Sequence, residues 1–256
     1  MRMKIEINSN KNFILLPINH KHIIQGFLYN NLPKPLSDFL HNIGFFYYKR
    51  QFKLFTFSNL YSSYFQIITI QDNKKTDKYI KFKTPVTLYI ASGINNFINN
   101  WNNNFLLSDN LKLGDNTVYI ESIEVLPQPE ITNKCLINTL SPITVYRTLE
   151  NKKYHYYNPN DIDFNVLVKN NIKKKYALLT NTIINDFDFN MKNIKYKKII
   201  TKYIKKPKIN KDFIIEAYDG IFEIETEPEI LKTIYDVGLG AKNSQGFGMF
   251  SIIKNN

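Results

Sequence analysis

GLGAKNSQGFG, Gly238 to Gly248, holds four of the nine glycines of a 256-residue chain within eleven residues. Clustered glycines let backbone N–H groups approach an anion closely, and Lys242 adds a charge beside them. The segment is not a P-loop, because no Gly-Lys-Ser/Thr follows the spacer. Nor is it a dinucleotide fingerprint, because position 243 is Asn and a strand follows where a helix should. A long turn is the plain alternative.

Outward from this loop, helical spacing covers 228–237 before it and an extended run covers 248–254 after it. Further back lie a strand at 134–140, a helix at about 161–180 and strands near 191–204 and 213–225. The first half has the same theme. Residues 3–8 and 13–16 predict one strand interrupted at Asn8–Asn12. Residues 18–31 predict a helix capped by Asn19, with Ile24, Phe27, Leu28 and Leu32 on its apolar side. A second helix is predicted at 35–43, with Leu36, Phe39, Leu40 and Ile43 on one stripe and Gly44 ending it. From Phe46 to Phe57 the period becomes two, with Phe46, Tyr48, Phe52 and Leu54 on one face and Lys49, Gln51 and Lys53 on the other. Strands follow near 63–70, 78–82 and 85–91, a helix at about 92–106, and strands at 111–114 and 117–126. This order predicts an α+β chain, antiparallel sheets with helices on one face, and two similar halves, 1–127 and 128–256, joined at Pro127–Pro129.

Composition narrows the function. Hydrophobic residues at 43% and aromatics at 14% suffice for a real core. The formal charge is +12, and residues 169–211 hold thirteen Lys against Asp186 and Asp188. That concentration suits a nucleic-acid surface, or a solvated helix face. The one cysteine, Cys135, rules out a disulfide framework and is expected to be a buried thiol. The opening residues MRMKIEINSNKNFILLP have no signal-peptide core, and no apolar window reaches a membrane span, so a cytoplasmic protein is expected.

Among the four histidines, His20 and His22 are two apart and make a poor metal pair on a helix; no metal site is expected. His41 lies about 150° from the apolar stripe of its predicted helix, and Tyr29 about as far from that of the first helix, at 100° per residue. Lys53 is on the polar face of the next strand. A Tyr, a His and a Lys pointing off the core suit one reaction. An RNA 2′-OH attacks the adjacent phosphate, a base takes its proton, an acid protonates the departing 5′ oxygen, and a cation offsets the phosphorane. Histidine titrates near neutrality, whereas tyrosine is a base only where nearby cations lower its pKa.

These residues resemble the CRISPR-associated repeat-RNA endoribonucleases, the "protein six" family of the RAMP superfamily. The match is carried by LPINHKHIIQGFLYN (16–30), FLHNIGF with FKLFTFSNL (39–45 and 52–60), TLSPITV (139–145) and VGLGAKNSQGFGMF (237–250). The resemblance implies two tandem ferredoxin-like (RRM-like) domains without the stacking motif of true RRMs. It implies metal-independent cleavage within the repeat of precursor CRISPR RNA, leaving a 2′,3′-cyclic phosphate and a 5′-OH, with no cofactor. It assigns Tyr29 as base, His41 as acid and Lys53 as transition-state cation. RNA contacts are expected from Gly238, Gly240, Lys242, Asn243, Ser244, Gly246 and Gly248, and from Lys49 and Arg50. Other effector-complex subunits or a second copy of the chain are expected partners. The alternatives are a repeat-RNA-binding subunit that does not cut, and a generic basic RNA-binding protein.

Overall fold

The computed structural model describes residues 1–72, 75–151, 153–203 and 213–255. The first half runs β1 (Arg2–Asn8), β2 (Phe13–Pro17), α1 (Lys21–Asn30), α2 (Lys34–Asp38), a π-helical turn (Phe39–Ile43), β3 (Phe45–Tyr47), β4 (Arg50–Phe52), β5 (Phe55–Phe57), β6 (Tyr61–Ser62), β7 (Phe65–Asp72), β8 (Lys75–Lys83), β9 (Val86–Ser92), α3 (Asn95–Leu107), β10 (Leu111–Leu113) and β11 (Asn116–Leu126). The second half runs β12 (Lys134–Thr139), β13 (Tyr146–Thr148), β14 (Tyr154–Tyr156), α4 (Ile162–Thr180), β15 (Phe189–Tyr203), β16 (Phe213–Thr226), α5 (Pro228–Val237), a 3-10 turn (Asn243–Gln245) and β17 (Phe250–Asn255).

The principal sheet of the first half is ordered β10-β11-β1-β9-β5, with β6 also on β9. Counting β1, β5, β9 and β11 as strands one to four gives the order 4-1-3-2, with α1 and α3 as the connecting helices. The second sheet, β15-β16-β12-β17, gives the same order from the opposite edge, with α4 and α5 in those places. Each is a β-α-β-β-α-β ferredoxin-like unit, so the chain is a tandem of one fold.

Alternation explains the sheets. Met3, Ile5 and Ile7 of β1 are fully buried, as are Leu88 and Ile90 of β9. They meet Ile24, Phe27 and Leu28 of α1 and Phe97, Trp101 and Phe105 of α3 in one core. The Trp101 indole N–H donates to the Leu28 carbonyl at 2.7 Å, so the largest buried side chain leaves no orphan donor. The second core gathers Cys135 and Ile137 of β12, Phe164, Val168 and Ile172 of α4, and Ile230, Leu231 and Ile234 of α5. Cys135 is the buried thiol expected.

Several expectations need correction. Residues 3–8 and 13–16 are not one strand: β1 enters the principal sheet, whereas β2 joins a separate sheet β2-β8-β7. Asn19 does not cap α1; His20 does, its Nδ1 lying 3.0 Å from the Pro17 carbonyl oxygen. Phe46–Phe57 is not one strand. Phe45 pairs with Phe52 in a hairpin, Tyr48 and Leu54 take positive φ, and β5 then leaves for the principal sheet. Phe46 and Tyr48 are therefore exposed while Leu54 is buried, so the shared face does not exist. The strands β6, β13 and β14, each of two or three residues, escaped the period-two reading.

The described part of the Lys-rich stretch spans α4 and β15. Lys169 and Lys173 pair with Asp186, Lys175 is buried, and Lys197 and Lys198 pair with Asp219 and Glu216. Lys205, Lys206, Lys208 and Lys211 lie outside the described residues.

Candidate active site

The backbone between α2 and β3 makes the site. The Gly44 N–H donates to the Phe39 carbonyl at 2.7 Å, an i→i+5 bond that widens the last turn by one residue. Gly44 is then at φ +65°, and a Cβ there would meet the Phe52 carbonyl oxygen at 2.6 Å and Lys53 Nζ at 3.0 Å. Only glycine lets the hairpin fold back this tightly. The widened turn leaves Leu40 buried and His41 exposed, and it turns Ile43 out to 53% exposure, against its expected place on the apolar stripe.

Three predicted residues converge here. The His41 ring meets the Tyr29 ring edge-on, with centroids 6.3 Å apart. The Lys53 ammonium donates to the His41 carbonyl oxygen at 3.3 Å. His41 Nδ1 lies 2.8 Å from Asn42 Oδ1; with Nδ1–H donating, Nε2 is left to exchange a proton. The Gln51 amide donates to the Ile43 carbonyl, and to that of Asn42 at 3.2 Å, tying the turn to β4. Tyr29 is half-buried, its ring edge also on Phe55 at 5.9 Å. Off its own helical stripe, it packs beneath the next elements. Burial pushes the Tyr29 hydroxyl up to about 12, against a smaller opposing effect of its hydrogen bond with Gln25. Burial also holds the Lys53 ammonium below the ordinary lysine value.

The glycine loop proves to be largely interior. Gly238, Gly240, Gly246 and Gly248 are buried, and the backbone N–H groups of Leu239, Ala241, Gln245, Gly246 and Gly248 donate to protein carbonyls. A Cβ on Gly248 would fall 1.9 Å from the Leu239 carbonyl oxygen, so the loop crosses itself closely there. The buried Asn243 amide donates to the carbonyls of Leu239 and Phe247, at 2.9 and 3.0 Å. From α4, the Lys175 ammonium donates to the carbonyls of Gly238 and Gly240, at 2.8 and 2.9 Å. From α1, Lys21 donates to the Gly246 carbonyl and to Asn59 Oδ1, both at 2.7 Å. Burial lowers both lysines to about 7. The loop is thus pinned by one lysine from each half and offers Ala241, Lys242, Ser244 and Gln245 outward.

Between the β3–β4 hairpin, β13, α4 and this loop lies a cleft of about 630 Å³. Among the described residues, Arg50, Lys53, Arg147, Lys174, Lys175 and Lys242 line it, and no Asp or Glu does. Lys242 stands over the Tyr146 and Tyr154 rings at 4.9 and 5.2 Å, and burial lowers it to about 8. Lys49 is exposed in the hairpin turn beside Arg50. Among the described residues, no group of three His, Cys, Asp or Glu is placed to hold a metal.

Residues 126–252 match the family model described as CRISPR associated protein Cas6, C-terminal. The chain is 30% identical over 255 residues to the CRISPR-associated endoribonuclease Cas6 1 of Methanocaldococcus jannaschii, covering 97% of this chain and 91% of that relative. The chain belongs to the Cas6 family. The CRISPR-associated endoribonuclease Cas6 of Pyrococcus furiosus is 27% identical over 94% of this chain and 84% of its own length. A solved structure titled CRISPR associated protein Cas6 superposes with a TM-score of 0.74 at 27% identity, over 99% of both chains. Another, of a Cas6-related gene product from Pyrococcus furiosus, reaches 0.79 at 23% identity, covering 100% of this chain and 99% of that one, and shares the fold.

Of the residues predicted for this Cas6-family site, Tyr29, His41 and Lys53 stand together, and Lys53, Arg50, Gly240, Lys242, Asn243 and Ser244 share the cleft. Gly238, Gly246 and Gly248 lie behind its wall. Sequence reasoning missed Lys21, Asn171, Lys174, Lys175, Tyr146 and Arg147. For Lys21 and Lys175 a signal was present. Each continues the apolar stripe of its own helix, Lys21 with Ile24 and Leu28, and Lys175 with Val168 and Ile172. A lysine on a buried stripe needs an interior partner.

Proposed function

We propose that this protein cuts precursor CRISPR RNA within its repeats by internal transesterification. The observation that carries the reading is the meeting of Tyr29, His41 and Lys53 at the lip of a cleft that, among the described residues, is lined by six cations and no carboxylate. The polyanionic strand follows the cleft, and phosphate contacts set its position. The scissile 2′-OH attacks phosphorus; the P–O2′ bond forms as the P–O5′ bond breaks. His41, protonated at Nε2, delivers its proton to the departing 5′ oxygen. The Lys53 ammonium faces the charge that builds on the phosphorane oxygens. Tyr29, with its pKa pushed up to about 12, is a phenol at neutral pH; it orients the 2′-OH, whose proton passes to water. The products are a 2′,3′-cyclic phosphate and a 5′-OH. The same reading places Lys49 and Arg50 on the strand outside the scissile bond. It divides the chain at 127/128 into a unit carrying the three residues and a unit carrying the loop, and it puts the protein in the cytoplasm beside other effector-complex subunits.

The test is incubation with its own repeat RNA in EDTA, where a single cut is expected. A 2′-deoxy substitution at the scissile nucleotide must abolish that cut. His41→Ala should slow it on the order of 10²- to 10⁴-fold, and undiminished cutting by that variant removes His41 from the mechanism.

A further inference from the structure

We infer that Asn171, at the floor of the basic cleft, reads one adenine of the bound RNA. The inference rests on the cleft being an RNA site, as proposed above, and adds the residue that selects sequence. Contacts from the cleft's cations to phosphate position a strand and carry no direct sequence information. Adenine is the base that a side-chain amide reads bidentately, and among the described residues five side-chain amides line the cleft: Gln51, Asn170, Asn171, Asn243 and Gln245. Gln51 is engaged by the carbonyls of Asn42 and Ile43, and Asn243 by those of Leu239 and Phe247. Gln245 also has a partner within the protein. Asn170 is exposed at the helix surface.

Asn171 is different. Its Oδ1 is the one buried side-chain polar atom among the described residues with no hydrogen-bond partner. Such an acceptor costs on the order of 1–3 kcal/mol to leave unmet, and native proteins rarely do so without a use for it. Asn171 lies on the same face of α4 as Leu167, Lys174 and Lys175, which also line the cleft. Lys174 and Lys242 line the same cleft and can take the phosphates of a strand bound there. The torsion that aims a carboxamide is soft and roughly two-fold, so the group can turn from its closed position into the cleft. One donor and one acceptor side by side match N7 and N6 of adenine. Unstacked bases of single-stranded RNA expose that edge.

The experiment uses the full chain and its own repeat RNA, made uncleavable by a 2′-deoxy scissile nucleotide, with a panel in which each repeat position is changed in turn. Wild-type protein is expected to lose on the order of 10- to 100-fold in affinity when one particular adenine is replaced. Asn171→Leu is expected to erase that loss at that position alone, leaving the other positions and the salt dependence unchanged. Its melting temperature should equal or exceed that of wild type, because the substitution removes an unmet acceptor, whereas a purely structural asparagine would make it fall. Asn171→Asp, equal in shape, should move the preference at that position toward cytosine, whose amino group a carboxylate accepts. A wild-type profile with no adenine preference, or the same profile in Asn171→Leu as in wild type, overturns the role of Asn171 and leaves the nuclease reading intact. Wild-type protein that does not bind its repeat at low salt overturns the nuclease reading itself.

Discussion

Replacing Lys175 by methionine isolates one buried charge. Lys175 is 2% exposed, and its ammonium donates to the neutral carbonyls of Gly238 and Gly240. Burial lowers it from 10.5 to about 7 in the folded chain. The folded pKa is below the unfolded one, so between about pH 7 and 10.5 the unfolded chain holds a proton that the folded chain has released. Stability therefore rises with pH across that window, at about 1.4 kcal/mol per unit for one proton. Over the whole window the gain is on the order of 5 kcal/mol. Below pH 7 both states carry the proton, and the full cost of burying the cation weighs on the fold. A neutral amine still donates two hydrogens, which matches the two loop carbonyls, so the loop keeps its shape as the proton leaves. Methionine is about as long and has no proton to lose. Urea denaturation of wild type and Lys175→Met at half-unit steps from pH 6.5 to 9.5 should give curves whose slopes differ by about 1.4 kcal/mol per pH unit above pH 7.5. Lys21, also near 7, contributes equally to both and cancels. Parallel curves would mean that Lys175 titrates as an exposed lysine does, and that water reaches the back of the loop.

Three further outcomes follow from the same geometry. Arg2 donates from β1 to the carbonyls of Tyr235 and Phe250 in the other half, stacked 3.3 Å from the Tyr235 ring centroid, so Arg2→Met should cost about 3 kcal/mol in urea denaturation by orphaning buried carbonyls. With Lys175 buried and Arg147 paired to Asp163 at 3.1 Å, four cleft cations among the described residues remain for single-stranded RNA. The slope of log K against log salt should be near −3 by filter binding, and Arg50→Ala should make it shallower by about 0.7. Burial raises the Cys135 thiol to about 11, so iodoacetamide at pH 8 should label it only after unfolding, as mass spectrometry would read directly.

The tandem fold was legible because two features survive without tertiary context. Period-two runs such as Met3, Ile5 and Ile7 and helical stripes such as Phe164, Val168 and Ile172 fall in the same order in both halves. What tertiary packing decides was not legible. The β13–β14 hairpin, with three residues per strand, is too short to carry a period. The glycine loop read either as an anion cradle or as a long turn, because clustered glycines signal close backbone approach but not to what. The close approach proved to be the chain's own: the Leu239 carbonyl beside Gly248, and the Phe57 ring beside Gly246.

The active-site cluster shows the limit more sharply. The 100° arithmetic put His41 off the apolar stripe, where it is, but for a regular helix that does not exist there. In an α-helical turn, Ile43 would share the stripe with Leu36, Phe39 and Leu40. The π-turn instead inserts one residue after Phe39, exposing Ile43 and letting Lys53 Nζ approach the His41 carbonyl across Gly44. A π-turn is costly in isolation and has no sequence period. Its cause is the fit of Gly44 beneath Phe52, a contact between residues eight apart that no local pattern reports. Substituting Gly44 should therefore act on the site more than on the core, because the left-handed turn it permits is what brings the Lys53 ammonium to the His41 carbonyl.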